Sequence, residues 1–128
     1  VSYEFDNHAP IYLQLIELFN QKIVNGSWTA GDRVASVREL ALEFGVNPNT
    51  VQRALAEMER EGMMYTERTS GRFITQDQQL ISDTRQQLAE EKIDQFINQM
   101  QGLGLGRDEL KQLIDRKWGK NNGADRNQ

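Results

Sequence analysis

The chain has 128 residues with 15 basic and 19 acidic side chains, a net charge of −4, 38% apolar residues and no cysteine. That length suits one domain with a small appendage, and the lack of cysteine excludes a disulfide framework, a thiolate zinc site and a cysteine nucleophile. The acidic balance argues against a polycation that coats nucleic acid, so any nucleic-acid site must be a local patch.

No basic region with an apolar stretch and a cleavage site opens the chain, and no segment approaches the roughly 18 consecutive apolar residues of a membrane span. The expectation is a soluble, cytoplasmic protein with no membrane partner. Composition divides it into residues 1–76, then a Gln-, Asp- and Glu-rich helical segment over 77–118, then a frayed tail over 119–128. The first part holds both prolines, the single histidine, and 7 basic against 10 acidic residues.

In chain order, Pro10 suits a first helical turn, and Tyr12, Leu15, Ile16, Phe19 and Ile23 recur at helical spacing until Asn25-Gly26. A second helix follows Ser36-Val37-Arg38-Glu39, which has capping-box spacing, and buries Val37, Leu40, Ala41 and Phe44 before stopping at Gly45. The third starts with Asn47 as N-cap and Pro48 as first helical residue, carries Val51, Ala54, Leu55 and Met58 on its apolar stripe, and ends at Glu61-Gly62. Two short helices joined by a glycine turn form a helix-turn-helix. Two runs of β-formers, Met63 to Arg68 and Arg72 to Thr75, flank Thr69-Ser70-Gly71 and read as a hairpin. The fold class expected is therefore mostly α: an N-terminal winged helix-turn-helix with a small β-hairpin wing, followed by a two-helix C-terminal dimerisation segment.

At about 100° per residue, the face of the third helix opposite its apolar stripe carries Asn49, Arg53, Ala56 and Arg60, with Thr50 and Gln52 beside it. Amides pair with adenine edges and Arg with guanine or phosphate, and a recognition helix enters the major groove by its N-terminal half. Arg38 stands beside the positive end of the second helix, capped by Ser36, where a phosphate would be held. Arg68 and Arg72 flank the hairpin tip, where Ser70 and Gly71 let the backbone approach a phosphate or the minor groove. Glu39, Glu43 and Glu67 lie nearby, so nonspecific affinity should be weak. With about three to five phosphates neutralised per protomer, a dimer should show a log–log salt slope on the order of −5 to −9.

The stretch from Pro10-Ile11-Tyr12-Leu13-Gln14-Leu15 through Gly31-Asp32-Arg33-Val34-Ala35-Ser36-Val37-Arg38-Glu39-Leu40-Ala41 and Asn47-Pro48-Asn49-Thr50-Val51 to Gly71-Arg72-Phe73 resembles the gluconate-repressor-like (GntR) bacterial transcription factors, within them the YtrA-like branch. The resemblance covers about 65 residues, half the chain. It implies a DNA-binding regulator, a repressor acting as a homodimer on a pseudo-palindromic double-stranded operator. It places Arg38, Asn49, Thr50, Arg53 and Gly71 at operator-contacting positions, with Asn47 and Gln52 in the same segment. Family members usually have Leu-Pro-Ser where this chain has Val34-Ala35-Ser36, which removes a rigid turn but keeps the Ser cap.

The resemblance also implies dimerisation through two helices. The residues agree: Leu88, Ala89, Ile93, Phe96, Ile97 and Met100 form one apolar stripe, and Leu110, Leu113, Ile114 and Trp118 another after Gly102-Leu103-Gly104-Leu105-Gly106. A lone helical pair cannot bury both, whereas a second copy can; the rival is packing back onto the chain's own winged helix. Head separation would change through a linker over residues 76–80. For Phe96, Met100 and Trp118, core packing is the expected role over lining a pocket for a small-molecule effector, whose identity no motif specifies.

Among other classes, an enzyme lacks a constellation: His8 is the sole imidazole, and there is no P-loop or dinucleotide fingerprint. No cofactor or metal is expected. A winged helix that docks proteins without reading DNA is the stronger alternative, and the arginine placement separates the two. A relative of the family that carries an aminotransferase-like domain is longer than this chain.

Overall fold

The computed structural model describes residues 3–121. Its elements are α1 (Ile11–Val24), α2 (Val37–Phe44), α3 (Pro48–Arg60), β1 (Met64–Glu67), β2 (Gly71–Ile74), α4 (Gln78–Gly102) and α5 (Arg107–Asn121). They fall into two compact units, the first running to Gln87 and the second starting at Leu88. The first is a winged helix-turn-helix that takes in the opening turns of α4, so it extends past the compositional break at residue 76.

Local signals set the helix ends. Ser36 Oγ accepts the Glu39 amide at 3.1 Å and Glu39 Oε1 accepts the Ser36 amide at 2.9 Å, so the box is complete without the rigid turn. Gly45 closes α2 in the left-handed region at φ 68°, and the Val46 amide donates to the Ala41 carbonyl at 3.1 Å. Asn47 Oδ1 accepts the Asn49 amide at 2.7 Å, and Pro48 fills the first position of α3.

The core of this unit joins Leu15, Phe19 and Ile23 of α1, Leu40, Ala41 and Phe44 of α2, and Val51, Ala54, Leu55 and Met58 of α3. Met63, Met64 and Ile74 extend it under the wing. Phe19 sits at its centre, its ring 5.5 Å edge-on from Phe44 and 5.3 Å from Trp28. The rear of α3 is thereby fixed, and its opposite face stands outward.

In the wing, Met64, Tyr65, Thr66 and Glu67 lie opposite Ile74, Phe73, Arg72 and Gly71 in an antiparallel ladder. Residues 31–34 lie along the other edge of β2, which sequence reasoning did not anticipate: the Val34 amide donates to the Arg72 carbonyl and the Ile74 amide to the Asp32 carbonyl, both at 2.8 Å. Gly31 completes this edge by donating to the Ile74 carbonyl at 2.9 Å.

The linker expected over residues 76–80 is a helix start instead. Asp77 Oδ1 accepts the Leu80 amide at 3.0 Å, and Leu80 and Ile81 pack against the core, so no free hinge lies there. In the second unit, α4 ends where Leu105 donates to the Met100 carbonyl at 3.1 Å with Gly104 at φ 85°, which makes the glycine break a capped bend. Helix α5 runs three residues past the expected tail boundary, to Asn121; the rest of that tail lies outside the described residues. Among the described residues no helix is long and apolar enough to cross a membrane.

Candidate nucleic-acid interface

Burial along α3 follows the helical repeat: Val51, Ala54, Leu55 and Met58 face inward, while Asn49, Gln52, Arg53, Ala56 and Arg60 are exposed. Thr50 is half-buried at the margin. The outward face is free of acid as far as Ala56, and Ala56 leaves a shallow place between Gln52 and Arg60. Asn47 spends its side-chain oxygen on the cap. Ser36 Oγ accepts from Glu39 and keeps its own proton to donate.

The arginines divide into free and engaged. Arg38 is exposed at the start of α2 with no hydrogen bond or ion pair among the described residues, and Arg68 is likewise exposed at the wing tip. Arg53 stands over the Tyr12 ring of α1, its Cζ 3.7 Å from the centroid, a cation–π contact that restrains the guanidinium. Arg60 is held by Glu57 at 2.7 Å and Glu61 at 3.0 Å. Arg72, expected as a free cation at the hairpin, is instead bound through Nε to Glu59 Oε2 at 2.6 Å.

Glu59 also accepts from Thr66 Oγ1 at 2.8 Å, so one carboxylate ties both wing strands to α3. Burial raises its pKa, but the hydrogen bonds from Thr66 and Arg72 and the Arg72 charge outweigh that and hold it below the ordinary carboxylate value. A depressed folded pKa stabilises the fold above the unfolded value, and that stabilisation is lost as pH falls through the folded one. Glu39, lowered by the Ser36 backbone and side-chain bonds, acts in the same sense. Urea midpoints measured from neutral into acid should therefore fall for the native chain and fall less steeply for Glu59→Gln. Parallel curves would contradict this linkage.

Gly71 adopts φ +110°, a region L side chains rarely enter. A Cβ there would stand 3.1 Å from Arg33 Nε and 3.2 Å from its Nη2, so the glycine makes room for Arg33. Sequence reasoning missed Arg33, because its neighbourhood depends on the strand pairing of residues 31–34. Ser70 lies exposed in the turn before Gly71.

Within the second unit, Ile93 (53% exposed), Phe96 (39%), Ile97 (38%) and Ile114 (38%) are left open to solvent. Leu88, Met100, Leu110 and Leu113 are half-buried. None of the apolar stripe read from the sequence is fully covered. Among the described residues no group of His, Asp or Glu is placed to hold a metal ion.

Residues 11–74, which span α1 to the end of β2, match the profile of the bacterial regulatory proteins of the gntR family. The chain belongs to the GntR family. It is 37% identical over 107 residues to the uncharacterized HTH-type transcriptional regulator YhcF of Bacillus subtilis (strain 168), covering 84% of this chain and 88% of that one. It is 34% identical over 120 residues to the HTH-type transcriptional repressor YtrA of the same organism, covering 89% and 92%. A GntR family transcriptional regulator from Listeria monocytogenes superposes with a TM-score of 0.80 at 37% identity, over 88% of this chain and 98% of that structure. These likenesses run past the winged helix into α4 and α5, whereas the family profile stops at the wing.

Proposed function

We propose that this GntR-family chain is a cytoplasmic, sequence-specific DNA-binding repressor that acts as a homodimer without catalysis. The observation that carries the reading is the outer face of α3, where Asn49, Gln52 and Arg53 stand exposed and free of acid above a fully buried stripe, with unpaired Arg38 at the start of α2. Asn49 and Gln52 have the donor and acceptor pair that reads adenine in the major groove, and Arg53, braced on Tyr12, reaches guanine or a phosphate. Thr50, Asn47 and Ser36 border this face; Arg68, Ser70 and Gly71 bring the wing alongside. Arg72 serves by holding that wing to α3.

The dimer reading is supported by the open apolar stripe of Ile93, Phe96, Ile97 and Ile114, continued by Leu88, Met100, Leu110 and Leu113. Two protomers related by a two-fold axis would bury it and present two α3 helices to half-sites spaced by about one or more helical turns. Repression then follows from occupying promoter DNA. A small-molecule effector would act by altering how the two reading helices are spaced; the cleft between the end of α1 and the start of α4, lined by Trp28, Thr29, Ile81, Ser82 and Arg85, is where one would touch α4.

Selection of bound sequences from a random duplex pool tests this directly, with a two-fold symmetric consensus as the expected result. On the selected operator the salt slope should be on the order of −5 to −9, and Arg38→Ala should weaken binding about tenfold while leaving base preference intact. No enriched sequence and a slope near zero would refute the reading. Undiminished DNA binding after replacing both Arg38 and Arg53 with Ala would favour protein docking instead.

A further inference from the structure

We infer that Arg33, rather than Arg72, is the phosphate-binding cation at the root of the wing, and that Gly71 exists to accommodate it. The inference rests on the DNA-binding reading above and assigns the charge within that surface.

Strand geometry separates the two arginines. Arg33 bridges Phe73 across the edge of β2, and Arg72 is the residue before Phe73, so their side chains leave opposite faces of the wing sheet. The face of Arg72 looks onto α3, where Glu59 neutralises it. Phe73, Tyr65 and Gly71 share the face of Arg33. On that face the Arg33 side chain passes beside Gly71, two residues along the strand from Phe73, close enough that a Cβ there would crowd its guanidinium at 3.1 Å.

Asp32 and Glu43 line a cleft with Arg33, and neither is ion-paired with it among the described residues. Glu67, opposite Gly71, shares its face but makes no ion pair with it among the described residues. Glu39 feels its charge, yet Glu39 is occupied by the Ser36 amide. Arg33 is thus exposed, lies beside Gly71 and makes no ion pair among the described residues. Ser36, with a hydroxyl proton to donate, lines the same cleft as Arg33 and Gly71, together with Glu39, whose carboxylate is bound to the Ser36 amide, and Arg72, whose Nε is bound to Glu59. A guanidinium and a hydroxyl converging beside a bare glycine backbone fit one phosphate of a duplex whose groove holds α3.

The test uses the full chain and a nonspecific duplex of about 30 base pairs, on which phosphate contacts dominate the affinity. Arg33→Ala should weaken binding about tenfold and make the salt slope shallower by about 2 for a dimer, one contact per protomer, with the melting temperature nearly unchanged. Arg33→Lys should keep most of the slope. Arg72→Ala should do the converse, lowering the melting temperature while its slope, measured where the protein is folded, stays native. Arg33→Ala with a native slope, or Arg72→Ala with a shallower slope and native stability, overturns the assignment. If the unaltered chain binds neither this duplex nor any selected sequence, the DNA-binding reading itself fails, which the variants alone would not show.

Discussion

Replacing Ile93 and Phe96 together by aspartate should convert the protein to a monomer at micromolar concentration and weaken operator binding by about 10²–10⁴-fold. Both side chains are substantially exposed on α4. Burying an apolar side chain of this size contributes about 1.5–3 kcal/mol, and a symmetric interface uses every residue twice. An aspartate at each position removes that gain and adds a charge that must be desolvated for the interface to close. Loss of the dimer converts a tethered second half-site contact into an independent event, and affinity falls by the effective concentration forfeited. The winged helix-turn-helix should remain folded, because neither residue contributes to its core. Sedimentation velocity and operator titration check the two halves of the prediction. A variant that stays dimeric would remove the stripe from the interface, and a monomeric native chain would end the dimer proposal.

The second large effect is on stability. Phe19→Ala should destabilise the winged helix-turn-helix by about 3–5 kcal/mol, read as a lower urea midpoint at unchanged slope. Phe19 is fully buried and touches the Phe44 and Trp28 rings from opposite elements. Truncation therefore removes transfer energy, two ring contacts and the packing that joins α1 to α2. Domains of this size hold about 5–15 kcal/mol in total, so the loss takes about a fifth of the stability or more. Trp28 fluorescence would report the vacated site. A loss below about 1 kcal/mol would mean the neighbours collapse to fill the gap.

Features encoded within a few residues were legible in the sequence. Ser36 with Glu39, Gly45, and Asn47 with Pro48 each state a helix boundary locally, and the structure places all of them as read. The burial pattern of α3 follows because 3.6-residue periodicity needs no partner information. What escaped depends on segments far apart in the chain. Arg72 looked like a free cation until the ladder put it over Glu59, thirteen residues earlier. Arg53 looked free until α1 brought Tyr12 beneath it, and residues 31–34 carry no alternation long enough to announce an edge strand. The apparent linker at residues 76–80 failed for a related reason: Asp77 caps a helix there, and Leu80 finds its place only once the core exists.

Three outward residues of α3 make no side-chain hydrogen bond or ion pair among the described residues. Asn49, Gln52 and Ala56 donate no side-chain bond to the fold, while the helix beneath them is anchored by its buried stripe and by Glu59 to the wing. On the proposed DNA-binding reading, substitutions at these three positions should retarget the protein to a new promoter at little thermodynamic penalty, with an unchanged urea midpoint as the check. Ser36, Asn47 and Gly71 have scaffold roles beside the contact roles proposed for them, so diversification among paralogues should concentrate on the former set and spare the latter.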